Sequence, residues 1–504
     1  MGRIRILATS DVHGYIYPYS YANKKEENIG LARVSTLVNK LRDENTILID
    51  NGDNLEGSPL MYYHMHGSKF TSFPVVQTLN YIGYDYVNVG NHDYNYGEEI
   101  LNKYLGELKA KCITCNALYN NTPLANYSIR EIAGKKIAIF GLTTQYIPNW
   151  EKGENIKNSC FIDAYKCCKD MVEKIRQEEK PDYLICVYHG GFERDLDTGE
   201  PTEALTLENE GYQMLRDIKG IDVLISGHQH RSLSGKLFDT VYTQTKDKGA
   251  QIAVIDIDTD SNSIKSKVID VTEEADINLM NLVQDEEDAC QKWLDIPLGE
   301  TKVDLKVTNE DDARLHKSQV ITFLNKVAMD FTKADLSANA LFDKATGFNK
   351  YITMRDLVST YVYPNTMVVK KINGKILKEY LEKCAEFFDI KNDEIVISDV
   401  YLCPKPMKFN YDMIDGIEYT IKVSNEIGER ITSLKRNGID VKDDDEFSIC
   451  VNNYRASGGG DFIMIKNAET IKEYADGMVD LLADYISTHK VINFEPINNI
   501  VVEK

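Results

Sequence analysis

Short apolar runs alternate with amphipathic segments over about the first 260 residues, and this alternation limits the possible folds more than any other feature of the chain. Strands are predicted in "IRILATSD", "NTILIDNGD", "DYVNVGNHD", "KKIAIFGLTT", "DYLICVYHGG" and "IDVLISGHQH". Between the first two, apolar residues recur at spacings of three and four, as on one face of a helix: Leu31, Val34, Val38 and Leu41. Further helices are predicted in "FPVVQTLNYIGY", in "DAYKCCKDMVEKIRQEE" and near 207–218. Strands that alternate with amphipathic helices predict a layered α/β domain.

The length of 504 residues exceeds what one hydrophobic core supports, so we expect two large domains. The acidic stretch "TEEADINLMNLVQDEEDACQKWLD" predicts a connecting helix. Beyond it, "TMVVKKINGKILKEYLEKCAEFF" predicts a strand, an Asn-Gly turn and a helix of a second α/β unit. The predicted division is therefore 1–272, 273–300 and 301–504.

Acidic residues outnumber basic residues by 79 to 58, which gives a formal net charge of −21. This excess repels nucleic-acid polymers and anionic membranes and argues against both as partners. If the substrate is a small anion, positive charge has to be supplied locally, and bound metal could supply it.

No apolar run approaches the roughly 18 to 20 residues of a membrane span. The beginning "MGRIRILATSD" has no apolar segment of the kind found in signal peptides. We therefore expect a cytoplasmic location for the chain as written, although a secreted precursor whose leader had been replaced would look the same. Ten cysteines are scattered along the chain. Cys112 and Cys115 in "CITC" have metal or redox spacing without a second such pair, so we expect buried free thiols.

Polar side chains able to bind a metal or move a proton follow five of the predicted strands. They are Asp11 and His13, Asp53, Asn91 and His92, His189, and finally His228 and His230. Loops at the carboxyl ends of strands line the binding crevice of open α/β sheets, so we expect these residues to lie together. Each motif taken alone is also typical of an ordinary turn. His64 and His66 in "HMH" lie away from any strand end, and we expect them on the surface.

The residue types at these strand ends are those of a site for two divalent metal ions. Carboxylate, imidazole and one amide oxygen suit Mn, Zn, Fe or Co. The absence of a clustered cysteine set argues against a closed structural zinc site. Two metals about 4 Å apart can clamp the oxygens of an in-line displacement at phosphorus, and Asp53 is the candidate for a carboxylate placed between them.

The ordered set DxH, GD, GNHD, HGG and GHxH resembles the calcineurin-type metallophosphoesterases. The resemblance implies a four-layer αββα sandwich followed by a second, smaller α/β domain. It also implies that one metal is held by Asp11, His13 and His230, that the other is held by Asn91, His189 and His228, and that Asp53 bridges them. His92 would lie outside the metal ligands, where it could stabilise the transition state or protonate the leaving oxygen.

Motifs in the second half extend the resemblance to the two-domain 5′-nucleotidase family: "YVYPNTMVVKKINGK", "YDMIDGIEY" and "NNYRASGGGDF". They are most similar to its 2′,3′-cyclic-nucleotide 2′-phosphodiesterase/3′-nucleotidase branch. The resemblance implies an enzyme that opens a 2′,3′-cyclic phosphate and then hydrolyses the 3′-monoester. Two alternatives stay open: a 5′-nucleotidase or nucleotide-sugar diphosphohydrolase with the same metals, and a nucleotide-binding protein with a vestigial site.

Two departures from the 5′-nucleotidase pattern favour the cyclic branch. Many members have an Asp three residues after the catalytic His, whereas this chain has Asn95. An amide can orient the imidazole of His92 but does not stabilise an imidazolium as a carboxylate does, so Asp93 is an alternative partner. A Gly-Gly-Gly-Ile-Arg stretch is also missing, and "LSANALFD" stands near its place.

The same resemblance implies a slot for the nucleotide base, because stacking between aromatic rings holds any base. Tyr454 is one expected wall and Tyr411 the candidate for the other, with a packed core tyrosine as the alternative for each. Asp461 would accept hydrogen bonds from the base or sugar. The remaining predicted contacts come from Asn453 and from two glycines that allow close approach of the backbone, Gly458 and Gly459.

Overall fold

The computed structural model describes residues 2–202, 205–363, 365–403 and 406–504. The chain divides into two compact units, one ending at Gln291 and the other beginning at Lys292. Residues 273–300, predicted as one connecting helix, contain the helices Ile277–Leu282 and Gln284–Leu294 and the start of the strand Pro297–Thr301.

Two six-stranded sheets form the first unit. Across the first sheet the strands are Ser263–Asp270, Gln251–Asp258, Arg3–Thr9, Thr46–Asp50, Tyr86–Val87 and Lys111–Cys112. Across the second they are Leu233–Leu237, Thr240–Gln244, Val223–Ser226, Tyr183–His189, Lys135–Thr143 and Ser128–Ile132. Arg3–Thr9 is parallel to Thr46–Asp50, and Tyr183–His189 is parallel to Val223–Ser226. Parallel neighbours end at the same edge of their sheet, which brings their following loops together.

The core of this unit lies between the two sheets and follows the two-residue period of strands. Ile4, Ile6 and Ile47 of the first sheet pack in one cluster with Ile139 and Ile185 of the second. The outer face of the second sheet is covered as well, since its strand residues form another cluster with two helices, Ala164–Glu178 and Gly211–Asp217. The outer face of the first sheet is also buried, as at Leu7 and Leu48. The predicted αββα layering is therefore confirmed.

The four helices predicted between the strands of this unit are all present. Asp163 accepts a hydrogen bond from the Lys166 N–H and so caps the helix Ala164–Glu178. Further helices in the described part of the unit are Leu31–Leu41, Pro59–His66, Pro74–Ile82 and Glu98–Glu107. The described residues of this unit also form short 3-10 helices at His92–Tyr94, Ile147–Asn149 and Gly153–Ile156. A small sheet is formed by Thr122–Pro123, Ala117–Tyr119 and Ser159–Phe161.

The second unit is the predicted α/β domain with mixed sheets. Its five-stranded sheet runs Asp412–Asp415, Leu336–Ala340, Glu446–Asn452, Thr366–Asn373 and Glu469–Gly477. A four-stranded sheet runs Ile439–Asp440, Ile431–Arg436, Glu418–Lys422 and Ile500–Glu503, and a three-stranded one Tyr351–Thr353, Pro297–Thr301 and Val491–Ile492. Two strand pairs are Leu305–Lys306 with Gly347–Phe348, and Phe388–Lys391 with Glu394–Ile397. Its helices are Glu310–Leu315, Gln319–Thr332, Met354–Thr360, Gly374–Ala385, Asn453–Ala456, Ile463–Lys466 and Met478–His489, with 3-10 turns at Asp399–Tyr401 and Lys408–Asn410.

The predicted Asn-Gly turn in this unit is wrong. Asn373 ends the strand Thr366–Asn373, and the helix Gly374–Ala385 begins at the next residue. The Asn373 side chain accepts a hydrogen bond from the Ile376 N–H at 2.9 Å. Asn is favoured both in turns and as a helix N-cap, and here the cap is the role it fills.

All ten cysteines are free thiols, and of the two expected to be buried, Cys112 is only partly buried. Cys115 is buried, and burial raises the pKa of its thiol to about 12, so it stays protonated at neutral pH. Across the described ranges, no helix combines the length and the apolar character needed to cross a membrane.

Candidate metal centre

The polar loops that follow parallel strands of both sheets meet at one place in the first unit. Three of these strands belong to the first sheet (Arg3–Thr9, Thr46–Asp50 and Tyr86–Val87), and two belong to the second (Tyr183–His189 and Val223–Ser226). Together they bring all seven predicted ligands close to one another: Asp11, His13, Asp53, Asn91, His189, His228 and His230.

The first cluster consists of Asp11, His13 and His230, whose ligand atoms all lie within 4.8 Å of one another. His230 Nε2 lies 3.3 Å from Asp11 Oδ1 and 3.2 Å from His13 Nε2. Burial lowers the pKa of His13 to about 4, so this imidazole is neutral at pH 7. A neutral imidazole is the form that binds a metal, and two facing ring nitrogens suit a shared cation.

The second cluster consists of Asp53, His189 and His228, again with ligand atoms within 4.8 Å of one another. His189 Nε2 lies 3.1 Å from Asp53 Oδ2. Asn91 joins this cluster through its side-chain oxygen, 3.2 Å from His189 Nε2 and 2.9 Å from His228 Nδ1. One carboxylate, two imidazoles and an amide oxygen therefore face a common point.

The two clusters adjoin, since His189 Nε2 is also 3.8 Å from Asp11 Oδ1. Asp53 is buried, and burial alone would raise the pKa of its carboxyl group. The imidazoles of His189 and His92 outweigh that effect and hold the pKa well below its usual range. The site therefore contains ionised carboxylates with histidines on either side of them.

The outward-facing ring nitrogens fix which nitrogen of each histidine points into the site. His13 Nδ1 is 2.8 Å from the Glu56 carbonyl oxygen, and His189 Nδ1 is 2.6 Å from that of Asn51. A carbonyl oxygen only accepts, so both rings donate from Nδ1 and point Nε2 inward, where a bound cation would take the place of a proton. The donor set and its orientation thus fit two divalent cations.

Glu208 and Trp150 hold the ring of His228 in position, and neither residue was predicted from the sequence. His228 Nε2 is 2.9 Å from Glu208 Oε1, which leaves Nδ1 facing Asn91. The Trp150 ring stacks on the His228 ring, with centroids 5.5 Å apart and planes 28° apart. Both residues lie in polar loops that no strand-end motif marks, so the sequence carried no local signal for them.

Backbone strain is concentrated at the site. Five of the seven residues have positive φ angles, which non-glycine residues rarely adopt: Asp11 at 56°, His13 at 53°, Asp53 at 61°, His228 at 67° and His230 at 55°. Each such conformation costs of order 1–3 kcal/mol and persists only where the surroundings enforce it, commonly at functional sites.

Two glycines allow the loops to pack directly against the ligands. A Cβ atom at Gly90 would lie 2.1 Å from Asp53 Oδ1 and 2.6 Å from His189 Cε1. A Cβ atom at Gly227 would lie 2.8 Å from Asp11 Oδ2. The glycine in "GNHD" is therefore required by close approach to two ligands, beyond any role in a turn.

His92 lies beside the clusters, with its backbone N–H donating to Asp53 Oδ1 at 2.8 Å. Its Nδ1 is 2.7 Å from Asn95 Oδ1. Asp93, the other predicted partner, is engaged by the backbone. Its carboxylate accepts four backbone N–H bonds, at 2.8–3.1 Å, from Asp53, Asn54, Leu55 and Gly90. Asp93 therefore joins two ligand loops to each other, and Asn95 is the residue that faces His92.

The second unit contains the residues predicted to bind the base. Tyr454 is partly exposed, and Gly459 lies against its ring, where an added Cβ atom would come within 2.5 Å. Asn453 Oδ1 accepts the Thr366 N–H at 3.0 Å. Asp461 is exposed at the end of the glycine run that includes Gly458.

Tyr411 is a core residue, which corrects its predicted place as a slot wall. Its side chain is fully buried, and its ring stacks on Phe387 with centroids 4.7 Å apart and planes 13° apart. A partly exposed aromatic residue near Tyr454 is instead Phe409, whose ring centroid lies 6.3 Å from that of Tyr454. It stands two residues before Tyr411 in the same motif, "FNYDMIDG".

The expectation that His64 lies on the surface is also wrong. Only 5% of its side chain is exposed, and its Nδ1 is 2.7 Å from Glu286 Oε1. The helix Pro59–His66 packs at this point against residues more than 200 positions away in sequence, which no local pattern reveals. His66 is exposed, as predicted.

Two family models match the chain. A calcineurin-like phosphoesterase model matches residues 4–232, and a 5′-nucleotidase C-terminal domain model matches residues 297–467. These ranges include all seven candidate metal ligands, and also Tyr454 and Phe409.

Relatives and solved structures agree with these matches. A Salmonella typhimurium 2′,3′-cyclic-nucleotide 2′-phosphodiesterase/3′-nucleotidase is 28% identical, covering 90% of this chain and 81% of its own. A Bacillus subtilis trifunctional nucleotide phosphoesterase is 25% identical over 98% of this chain, which spans only 38% of the Bacillus protein. A Staphylococcus aureus structure, provisionally described as a 5′-nucleotidase in complex with alpha-ketoglutarate, is 33% identical, covers 100% of both chains and has a TM-score of 0.94.

Proposed function

The chain belongs to the family that joins a calcineurin-like phosphoesterase domain to a 5′-nucleotidase C-terminal domain, and from this premise we propose that it hydrolyses nucleotide phosphoesters. The leading substrates are 2′,3′-cyclic nucleotides, opened to a 3′-monoester, followed by the 3′-monoester itself. The products would be a nucleoside and inorganic phosphate.

The observation that carries the proposal is the pair of ligand clusters, which adjoin where His189 Nε2 lies 3.8 Å from Asp11 Oδ1, with His92 beside them. Asp11, His13 and His230 would hold one cation, and Asn91, His189 and His228 would hold the other. Two divalent cations bound there would polarise the phosphoryl oxygens and lower the pKa of water. They would also supply the positive charge that a chain of net charge −21 needs for an anionic substrate.

The chain's own residues divide the remaining work. Asp11 and Asp53 balance the charge of the site, and the neighbouring histidines keep both ionised although burial opposes it. His92 would protonate the leaving oxygen or stabilise the transition state. Asn95 would hold the ring of His92 in place through its side-chain oxygen.

Two observations favour the cyclic and 3′-specific reaction over a 5′-nucleotidase. The Salmonella relative carries both of those activities in its name, at 28% identity. The chain also has Asn95 and "LSANALFD" where the 5′-nucleotidase pattern has Asp and an arginine-containing glycine run. The Staphylococcus structure described as a 5′-nucleotidase supports the second candidate, hydrolysis of 5′-monoesters.

Tyr454 is proposed to stack on the base, with Asp461 and Asn453 as polar contacts beside it and with Gly458 and Gly459 allowing close approach. The partial exposure of Tyr454 and the close approach of Gly459 to its ring support this role. Phe409 replaces Tyr411 as the second aromatic residue of the proposal, because it lies near Tyr454 and is not buried in the core.

Phosphate release tests the proposal. Metal-stripped protein is supplied in turn with Mn²⁺, Zn²⁺, Co²⁺ or Mg²⁺ and given 2′,3′-cyclic AMP, 3′-AMP or 5′-AMP. Opening the cyclic ester releases no phosphate, so a phosphatase is added to measure that reaction. We expect the first two substrates to turn over fastest and Asp53→Ala or His92→Ala to remove activity. His66→Ala, at an exposed histidine of the same unit, is the matched control. Fastest turnover of 5′-AMP would support the second candidate, and activity that survives in both variants would contradict the site.

A further inference from the structure

A carboxylate lies directly behind Asn95, on the side away from His92. Glu151 Oε2 is 2.7 Å from Asn95 Nδ2, and Asn95 Oδ1 is 2.7 Å from His92 Nδ1. The three side chains form a line in which an amide separates the imidazole from the carboxylate. Glu151 lies between two 3-10 turns, in "IPNWEKGENI", and no sequence motif pointed to it.

The chemistry of this line determines how the amide is turned. An ionised carboxylate only accepts hydrogen bonds, so Asn95 has to direct its NH₂ group toward Glu151. Its carbonyl oxygen then faces His92, and that ring has to donate from Nδ1. Glu151 thus decides, through Asn95, which nitrogen of His92 carries the proton in the neutral ring.

Glu151 is itself held in position. Its Oε1 accepts the Lys152 N–H at 2.9 Å and the Asn155 Nδ2 at 2.8 Å. Asn155 Nδ2 also donates to the backbone oxygen of Asn95 at 2.9 Å. Both carboxylate oxygens therefore have donors, and the loop is tied to Asn95 at two points. A group fixed on this scale is suited to orienting another side chain.

We infer that Glu151 is a positioning residue of the active site, which orients the Asn95 amide and thereby fixes the ring nitrogen that His92 presents to the leaving group. This inference rests on the proposed function. As the bond between phosphorus and the leaving oxygen breaks, the proton on His92 Nε2 passes to that oxygen. The ring keeps its Nδ1 proton, and Asn95 accepts the hydrogen bond from it. If the amide were inverted, two N–H groups would face each other and this form of the ring would be disfavoured.

Glu151→Gln tests the inference because it keeps the size of the side chain but adds a donor. The new amide can donate to Asn95, which lets the Asn95 amide invert. We expect kcat for 3′-AMP to fall at least about 10-fold with KM within about twofold, because general acid catalysis contributes about 10²–10⁴-fold. Hydrolysis of 4-nitrophenyl phosphate should fall less than about threefold, because 4-nitrophenolate leaves without a proton. Glu154→Gln, at an exposed residue of the same loop, should change neither rate.

Exchanging the amide of Asn95 and the carboxylate of Glu151 should restore 3′-AMP hydrolysis. Asn95→Asp alone places a second carboxylate against Glu151 and should be impaired. In the double variant with Glu151→Gln, the carboxylate at position 95 accepts from His92 Nδ1 and from the new amide. We expect this variant to recover 3′-AMP hydrolysis to within about threefold of the unmodified protein, as a restored hydrogen-bond pattern requires.

The tautomer of His92 gives a readout that does not depend on activity. Two-bond ¹⁵N–¹H NMR spectra of ¹⁵N-histidine protein, with His92 assigned from His92→Gln, should show the Nδ1–H form before substitution and the Nε2–H form in Glu151→Gln. An unchanged tautomer, equal losses on the two esters, or no rescue would overturn the inference. If the unmodified protein cleaved neither ester, the proposed function would fail, and the NMR result would still decide the role of Glu151.

Discussion

Gly90→Ala should weaken metal binding without removing any ligand residue. The added methyl group would lie 2.1 Å from Asp53 Oδ1 and 2.6 Å from His189 Cε1, far inside contact distance. The φ angle of Gly90 is not positive, so alanine fits the backbone and the conflict is purely steric. In the metal-free protein these two side chains have to shift away from the methyl group.

The size of the effect follows from this relaxation. Ligands that have turned away must return when metal binds, so the cost of overpacking, about 1–3 kcal/mol, appears in the metal affinity. Since about 1.4 kcal/mol corresponds to a tenfold change, we expect a loss of about 5- to 150-fold. Both side chains are buried, so part of the overpacking cost should also lower the melting temperature of the stripped protein.

Calorimetric titration of stripped protein with Mn²⁺ measures this loss, and circular dichroism of the same samples measures the melting temperature. Gly106→Ala is the matched control, because nothing lies within 4 Å of its added methyl group in the helix Glu98–Glu107. An unchanged Mn²⁺ affinity for Gly90→Ala, or an equal loss in the control, would refute the close-packing argument.

Three further predictions concern the base, the pH dependence and a helix end. Tyr454→Ala should raise KM for 3′-AMP about 5- to 150-fold, because base stacking worth about 1–3 kcal/mol is lost. KM for 4-nitrophenyl phosphate, the control substrate without a base, should not change. Tyr411→Ala should instead lower the urea midpoint of unfolding, because its side chain lies in the core. Burial raises the pKa of Glu210 to about 7, so the folded state holds this proton more tightly and stability falls as pH rises from about 4.5 to 7. Glu210→Gln should therefore gain about 1–3 kcal/mol in urea unfolding at pH 8 and much less at pH 5, and an equal gain at both would contradict this assignment. Asn373→Ala should cost about 1 kcal/mol in the same assay, and Asn373→Asp should cost little, because the aspartate can still cap the helix.

The candidate ligand clusters were predictable because their sequence signals are local. A run of apolar residues predicts each strand, and each candidate ligand follows within a few positions, as Asp53 does after "TILID". The parallel order of the strands then brings those loops to one edge. Gly90 belongs to a motif that the sequence shows, but only the structure shows that it lies against Asp53 and His189.

Residues whose role depends on a distant partner were missed or misplaced. His64 pairs with Glu286, 222 positions away, and Glu151 reaches Asn95 across 56 positions. Tyr411 and Phe409 stand two positions apart in one motif, and only packing shows which is buried. Asn373 fitted two local roles equally well, so the element that followed it decided between turn and cap.

Anomalous diffraction at the manganese edge, from crystals of the unmodified protein grown with Mn²⁺, tests the central proposal most directly. Two peaks are predicted, each ligated by one histidine-containing cluster, with Asp53 contacting both. One peak surrounded by other residues, or no peak at these clusters in saturating Mn²⁺, would contradict the account.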